Sequence, residues 1–406
     1  MTYATSQEVL RRYARLLVRY ALGGGEGIKP GDVVQVTCPD SAKPLYVEAC
    51  RAVWEAGGQV IDGYYPDDEP GLPISRIRYE AMSEEQLDFF PATYFRGLVD
   101  QADHSLHIIA ENDPNALQEV APERLMRLRR SRRPLVEWRN EKENAGRFTW
   151  TIGLYPTEAM AAEARMSLEE YWEQVKLACF LDEADPVAKW REVNQEIEQR
   201  AAWLNSLPIK RLHVEGEDAD LWITLGERRK WMGGGGANIP SFEVFTSPDW
   251  RGTEGRIRFS EPLYIYGSLI NGVELEFEQG RVVRASAQEN EALLKEMIAT
   301  ENADRVGEFS LTDARLSRIN RFMANTLYDE NVGGPFGNTH VAVGMAIKQC
   351  YDGDPGEVSP EEWERLGFND SVVHTDIVST TDRIVTAVLR DGGKQVIYRD
   401  GQFTGV

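Results

Sequence analysis

Histidine and cysteine are scarce in this chain, at five and four residues of 406. The four cysteines, Cys38, Cys50, Cys179 and Cys350, lie far apart and form no C-x-x-C pair. That spacing suits reduced, packed thiols of a cytoplasmic protein and not a disulfide framework. No run of 18 apolar residues occurs, which argues against a membrane-spanning helix. The polar start, with Thr5-Ser6-Gln7-Glu8, lacks the basic-then-apolar layout of a signal peptide. Basic residues are outnumbered: 45 Lys and Arg stand against 66 Asp and Glu, a net charge of −21. The resulting field repels nucleic acid and anionic membrane surfaces, whereas acids gathered in a cleft draw metal cations and ammonium groups. Several motifs are missing too. There is no P-loop, no G-x-G-x-x-G after the first strand, no G-x-S-x-G elbow and no H-E-x-x-H helix. The Gly233–Gly236 run reads as a flexible or tightly turned loop, because it does not open a helix.

What is present is the profile of a folded protein, with 42% hydrophobic and 27% charged residues and room for two or three domains. Residues 5–22 predict an amphipathic helix, with Thr5 and Glu8 as a capping box and Gly23 as its end. Strand signals at Val33-Val34-Gln35-Val36, Val60-Ile61, Leu106–Ala110 and Phe148–Ile152 alternate with helical segments. That alternation predicts a parallel sheet with helical crossovers, a Rossmann-like α/β domain that is not expected to bind a dinucleotide. Residues 157–206 read as mostly helical. After Leu207-Pro208 the texture turns to short strands and tight glycine turns. The expected organisation is therefore an N-terminal α/β domain over 1–208 and a second α/β domain over 209–406.

The second domain carries the chemistry. In Val372-Val373-His374-Thr375-Asp376-Ile377-Val378 a strand places His374 and Asp376 on one face, an imidazole and a carboxylate side by side. Glu243 and Glu308 sit between apolar neighbours, Glu330 follows Leu327-Tyr328-Asp329, and His340 lies in Thr339-His340-Val341-Ala342-Val343. Each alone reads as an edge-strand acid or a hydrogen-bonded core histidine; together they suggest a metal centre. Four carboxylates balance two divalent cations, and two imidazoles add nitrogen ligands, a mixture that suits zinc, cobalt or manganese. Spacing does not show that these groups converge.

The ordered set Pro240-Ser241-Phe242-Glu243, Gly307-Glu308-Phe309, Leu327-Tyr328-Asp329-Glu330-Asn331, Thr339–Gly344 and His374-Thr375-Asp376 resembles the thermophilic-type metallo-aminopeptidases, the aminopeptidase T family. The Ile28–Asp32 turn and Glu55-Ala56-Gly57-Gly58 extend the likeness to the first half. The resemblance implies a homodimeric exopeptidase with two divalent metals in the C-terminal domain; with the reduced thiols, the expectation is a cytoplasmic enzyme acting on short peptides. It places Glu243, Glu308, Glu330, His340, His374 and Asp376 at the metal positions, with Glu308 or Glu243 also moving the proton. Two departures stand out. Gly333–Asn338 lengthens the link from Glu330 to His340, and Ile347 stands where the family has a tyrosine, with Tyr351 as the nearest candidate to replace it. A catalytically impaired metal-binding relative and another metal-assisted amidohydrolase remain as alternatives.

Overall fold

A computed structural model describes residues 3–265 and 268–406. By contact density it forms two compact units, Met1–Arg191 with Gly235–Pro240, and Glu192–Gly234 with Ser241–Val406. The expected boundary at 208/209 lies just past the helix Pro186–Ser206, whereas the unit division lies inside that helix, at 191/192. Among the described residues no helix is long and apolar enough to cross a membrane. All four cysteines are buried and free.

The first unit is built on four parallel strands, β1 (Val33–Pro39), β2 (Gln59–Tyr65), β3 (His104–Ile109) and β4 (Thr149–Leu154), in the order β2-β1-β3-β4. Val34, Val36, Leu106 and Ile108, which marked these strands, are fully buried, as is Leu154 at the end of β4, in keeping with a parallel sheet covered by helices. At the amino ends of the strands His104 bonds Thr149 Oγ1 (2.7 Å) through Nδ1 and Asp32 Oδ2 (3.0 Å) through Nε2, stitching β1, β3 and β4 together. The first helix differs from expectation. Its cap is Ser6, whose Oγ accepts the Val9 N–H, so Thr5 and Glu8 form no capping box; Gln7–Leu16 then widens into a π-helical turn, Leu17–Ala21. Ser6 stands three residues before Val9 and wins because its oxygen reaches the free N–H of the first turn. The glycine run ends in left-handed Gly235 and Gly236, and a side chain at Gly236 would meet the Ala21 carbonyl at 2.4 Å.

The second unit holds the remaining strands: β5 (Ile209–Gly216), β6 (Ala219–Thr224), β7 (Met232–Gly233), β8 (Glu243–Thr246), β9 (Glu254–Arg258), β10 (Leu263–Ile265), β11 (Ser268–Ile270), β12 (Glu274–Glu278), β13 (Arg281–Ser286), β14 (Val306–Thr312), β15 (Asn338–Gly344), β16 (His374–Ser379), β17 (Ile384–Leu389), β18 (Lys394–Arg399) and β19 (Gln402–Phe403). They form an eight-stranded antiparallel sheet, β13-β12-β9-β6-β5-β17-β18-β19, a five-stranded antiparallel sheet, β16-β15-β14-β8-β7, and the small hairpin β10-β11. In the five-stranded sheet β14 and β15 are buried along their whole length, on both faces. One face is aliphatic and aromatic (Phe309, Leu311, Val341, Val343); the other is polar, which a sheet tolerates only if those groups find partners.

Where β14 ends, fully buried Asp313 accepts from Arg200 Nε at 3.1 Å and Arg315 Nε at 2.8 Å. Burial pushes the Asp313 carboxyl up, but the two guanidinium groups outweigh it and hold the group below its usual range. Removing one side of a buried pair strands the other charge, so Asp313→Ala is expected to cost about 3–5 kcal/mol, read as a lowered urea unfolding midpoint. Because the folded carboxyl is lowered, this contribution is present above the ordinary Asp range and is lost as pH falls through the lowered one.

Candidate metal centre

The register of the five-stranded sheet assembles the site. Glu308 lies opposite Ala342, Ser310 opposite His340, and Thr312 opposite both Asn338 and Glu243. On the other side of β15, Ala342 pairs with Asp376 and Gly344 with His374. Opposed residues share a face and alternate residues keep it, so Glu243, Glu308, His340, His374 and Asp376 all project from one side of the sheet. Gly344, at φ +102°, has no room for a side chain, since a Cβ there would stand 2.0 Å from the Val373 carbonyl. Glu330 arrives from the end of the short helix Thr326–Asp329 and hydrogen-bonds Asp376.

The distances are those of a tight cluster. His340 Nε2 is 3.3 Å from Glu243 Oε2 and 3.4 Å from Glu308 Oε1. His374 Nε2 is 3.5 Å from Glu308 Oε2 and 3.4 Å from Asp376 Oδ1. Two sets, Glu243 with Glu308 and His340, and Glu308 with His374 and Asp376, each have ligand atoms within 4.8 Å of one another. Glu308 belongs to both. The sequence-derived residues Glu243, Glu308, Glu330, His340, His374 and Asp376 are thus brought together, and the lengthened link does not carry Glu330 away.

Burial and mutual charge shift the proton affinities within this cluster. Burial alone would lower His340, yet its hydrogen bonds to Glu243 and Glu308 raise it well above the usual range. Burial likewise opposes charge on His374, but Asp376 and Glu308 raise it to about 10. Asp376, which burial pushes up, is brought to about 2 by His374 and His340. Glu308 goes to about 7 because burial and the repulsion of Glu243 and Asp376 exceed the pull of His340. Glu330 is raised well above its usual range by burial and then by Asp376 and Glu243. Divalent cations can replace these protons, because carboxylate and imidazole ligands must be deprotonated to bind. The donor set therefore fits divalent ions, with hard oxygens and borderline nitrogens gathered on one face.

Supporting contacts aim the side chains. His374 Nδ1 donates to the Met345 carbonyl at 2.8 Å, which leaves Nε2 for the centre. Ser241 Oγ and Ser310 Oγ each donate to Glu243, at 3.2 Å. Asn331 accepts the Phe242 N–H at 2.6 Å and approaches Glu330 Oε1 at 3.4 Å, linking the two segments that carry glutamates. None of these was singled out from sequence, although the period-2 rule that pairs Glu308 with Ser310 contains the signal for one of them.

Tyr351 is not brought into the group. The turn Lys348–Cys350 directs it into an apolar cluster with Phe245, Trp363, Leu366 and Phe368, against which Ile347 also packs. Its ring lies edge-on to Trp363 at 5.3 Å, and the Arg228 guanidinium covers it at 4.7 Å. Packing fixes that ring where expectation placed a catalytic phenol.

Similarity to known proteins agrees with this chemistry. The family model described as thermophilic metalloprotease (M29) matches residues 6–403. The chain is 30% identical over 422 residues to aminopeptidase T of Thermus aquaticus and 28% identical over 418 residues to aminopeptidase 2 of Geobacillus stearothermophilus, covering 98% of each chain in both cases. The solved structure of wild-type AmpT from Thermus thermophilus superposes with a TM-score of 0.82 at 26% identity, over 98% of this chain and 99% of that one.

If Tyr351 serves packing, Tyr351→Phe, which keeps the ring and removes the hydroxyl, should leave peptidase turnover within about twofold of the parent. A fall of about a hundredfold at unchanged metal content would instead place the phenol at the reacting atoms.

Proposed function

Since this chain belongs to the thermophilic metalloprotease family and is a metallo-aminopeptidase, we propose that it removes N-terminal residues from short peptides using two divalent ions held by Glu243, Glu308, Glu330, His340, His374 and Asp376. The observation that carries the proposal is the convergence of Glu243, Glu308, His340, His374 and Asp376 on one sheet face, with Glu308 common to both ligand sets. Zinc, cobalt or manganese would polarise the scissile carbonyl and make a water nucleophilic near neutral pH.

The protein's own groups do the rest. Glu308 lies within 3.4 Å of His340 Nε2 and 3.5 Å of His374 Nε2 and would contribute to both ligand sets. Glu308 or Glu243 takes the proton of the attacking water on a carboxylate oxygen and returns it to the leaving amine. Ser241 and Ser310 keep the Glu243 carboxylate in one orientation through this transfer. The acidic surroundings favour a substrate bearing a free ammonium group, which suits cleavage at the N-terminus. A cytoplasmic homodimer completes the proposal: the dimer rests on the family resemblance and the compartment on four separate free thiols.

Prolonged chelation should abolish hydrolysis of amino-acid anilides, and added zinc, cobalt or manganese should restore it; activity that survives verified metal removal would sink the reading. Glu308→Gln and His374→Ala are each expected to lower kcat by on the order of a thousandfold, whereas His107→Ala and His213→Ala change it little. A protein that binds metal without turning over any anilide or peptide would favour the impaired relative instead. Light scattering should report about twice the 45.9 kDa chain mass, and a monomer at micromolar concentration would remove the dimer from the proposal.

A further inference from the structure

Between Glu330 and His340 the chain runs through a loop in which only Gly334, Pro335 and Phe336 reach solvent; residues on either side are buried. A glycine-rich loop of this kind imposes no end-to-end geometry by itself. Its ends are nevertheless held. Asn338, 1% exposed, donates from Nδ2 to the carbonyl of Asp329 at 3.1 Å, which ties the residue before Glu330 to the start of β15, two residues before His340. On the opposite side Tyr398 Oη, fully buried on β18, donates to the Thr312 carbonyl at 2.8 Å and stands 3.1 Å from the Phe336 carbonyl. Thr312 is the sheet partner of Asn338, so this hydroxyl sits where β14 ends and β15 begins. Gly337 adopts φ +62°, and a Cβ there would lie 2.0 Å from Tyr398 Oη, so only glycine fits beneath the hydroxyl. The helical turn before Glu330 is fixed as well, because the Asp329 carboxyl accepts the N–H groups of Met323 and Asn325 at 2.6 and 2.8 Å.

We propose that Asn338 and Tyr398 are positioning residues of the metal centre: they close the loop at its base, Asn338 acting through Glu330 and Tyr398 through the start of the His340 strand, so that the exposed tip bears no positional role. The inference rests on the metal-centre reading above. It explains how a lengthened link leaves the ligand cluster intact, since added residues leave between two buried anchor points and return to the same place.

The test is the zinc affinity of the chelator-stripped full chain, measured by competition with a chromogenic chelator. Asn338→Leu and Tyr398→Phe should each weaken binding about tenfold or more, with circular dichroism unchanged, while Phe336→Ala binds as the parent does. In a Glu330→Gln background the effect of Asn338→Leu should largely vanish, because both changes act on one ligand; a loss that persists there in full overturns the assignment of Asn338. Parental affinity in both Asn338→Leu and Tyr398→Phe overturns the clamp and leaves the metal centre standing. A parent protein that takes up no zinc overturns both together. If Asn338→Leu does not fold, Tyr398→Phe alone decides.

Discussion

Four carboxylates on one buried face repel each other, and most of the second unit can be understood as the means of holding them there. Glu243, Glu308, Glu330 and Asp376 gather around His340 and His374 with little water to screen them. Leaving such charges unpaired in an interior costs several kcal/mol per ion. Raised proton affinity at His374, a lowered Asp376 and raised Glu308 and Glu330 show how strongly these groups act on one another. A pair of divalent ions would offset that cost with fixed charge. The ladder hydrogen bonds supply the rigidity: β8, β14 and β15 are paired on both sides, and β16, at the edge, is paired with β15 along its whole length.

The cluster draws on β8, β14, β15, β16 and a short helix, so it exists only once the unit has folded. Any ion bound there stabilises the native state by mass action, and the ligands in turn are useless in the unfolded chain. This accounts for the investment in contacts that do not touch the centre. Asp313 fastens the end of β14 to Arg200, the His374 ring is set by the Met345 carbonyl, and Asn331 joins the segment of Glu243 to that of Glu330. Asp313 acts on the strand that carries Glu308, Met345 on the His374 ring itself, and Asn331 on segments adjacent to Glu243 and Glu330.

Much of this was legible in sequence. The strands β1 to β4 announced themselves through short β-branched runs, and His374 with Asp376 through strand periodicity. Both signals are local, and alternating burial along the strands reinforces them. Groups that act across the chain left weaker marks. Asn331 and Asn338 look like ordinary turn asparagines until their partners, Phe242 and Asp329, are known. The first helix was read one residue early because Thr5 and Ser6 are both good caps, and only backbone geometry chooses between them. The lengthened Gly333–Asn338 link leaves the reach of Glu330 open in sequence, since sequence records the length of a loop and not the anchoring of its ends.

Tyr351 shows the same limit from the other side. Proximity in sequence to the missing family tyrosine made it the natural substitute, but a side chain goes where its packing is best, and Trp363, Phe368 and the Arg228 guanidinium offer an aromatic ring a complete enclosure. Ile347 packs against the same cluster, which an isoleucine can join and a phenol hydroxyl would resist without a partner. The substitution at 347 and the orientation of Tyr351 therefore belong to one packing solution. One oxyanion donor is typically worth roughly 2.7–4 kcal/mol in the transition state. Under the proposed mechanism, that share of charge stabilisation falls to groups other than Tyr351, which makes the geometry of the Glu308-centred cluster matter more in this chain than it would beside a well-placed phenol.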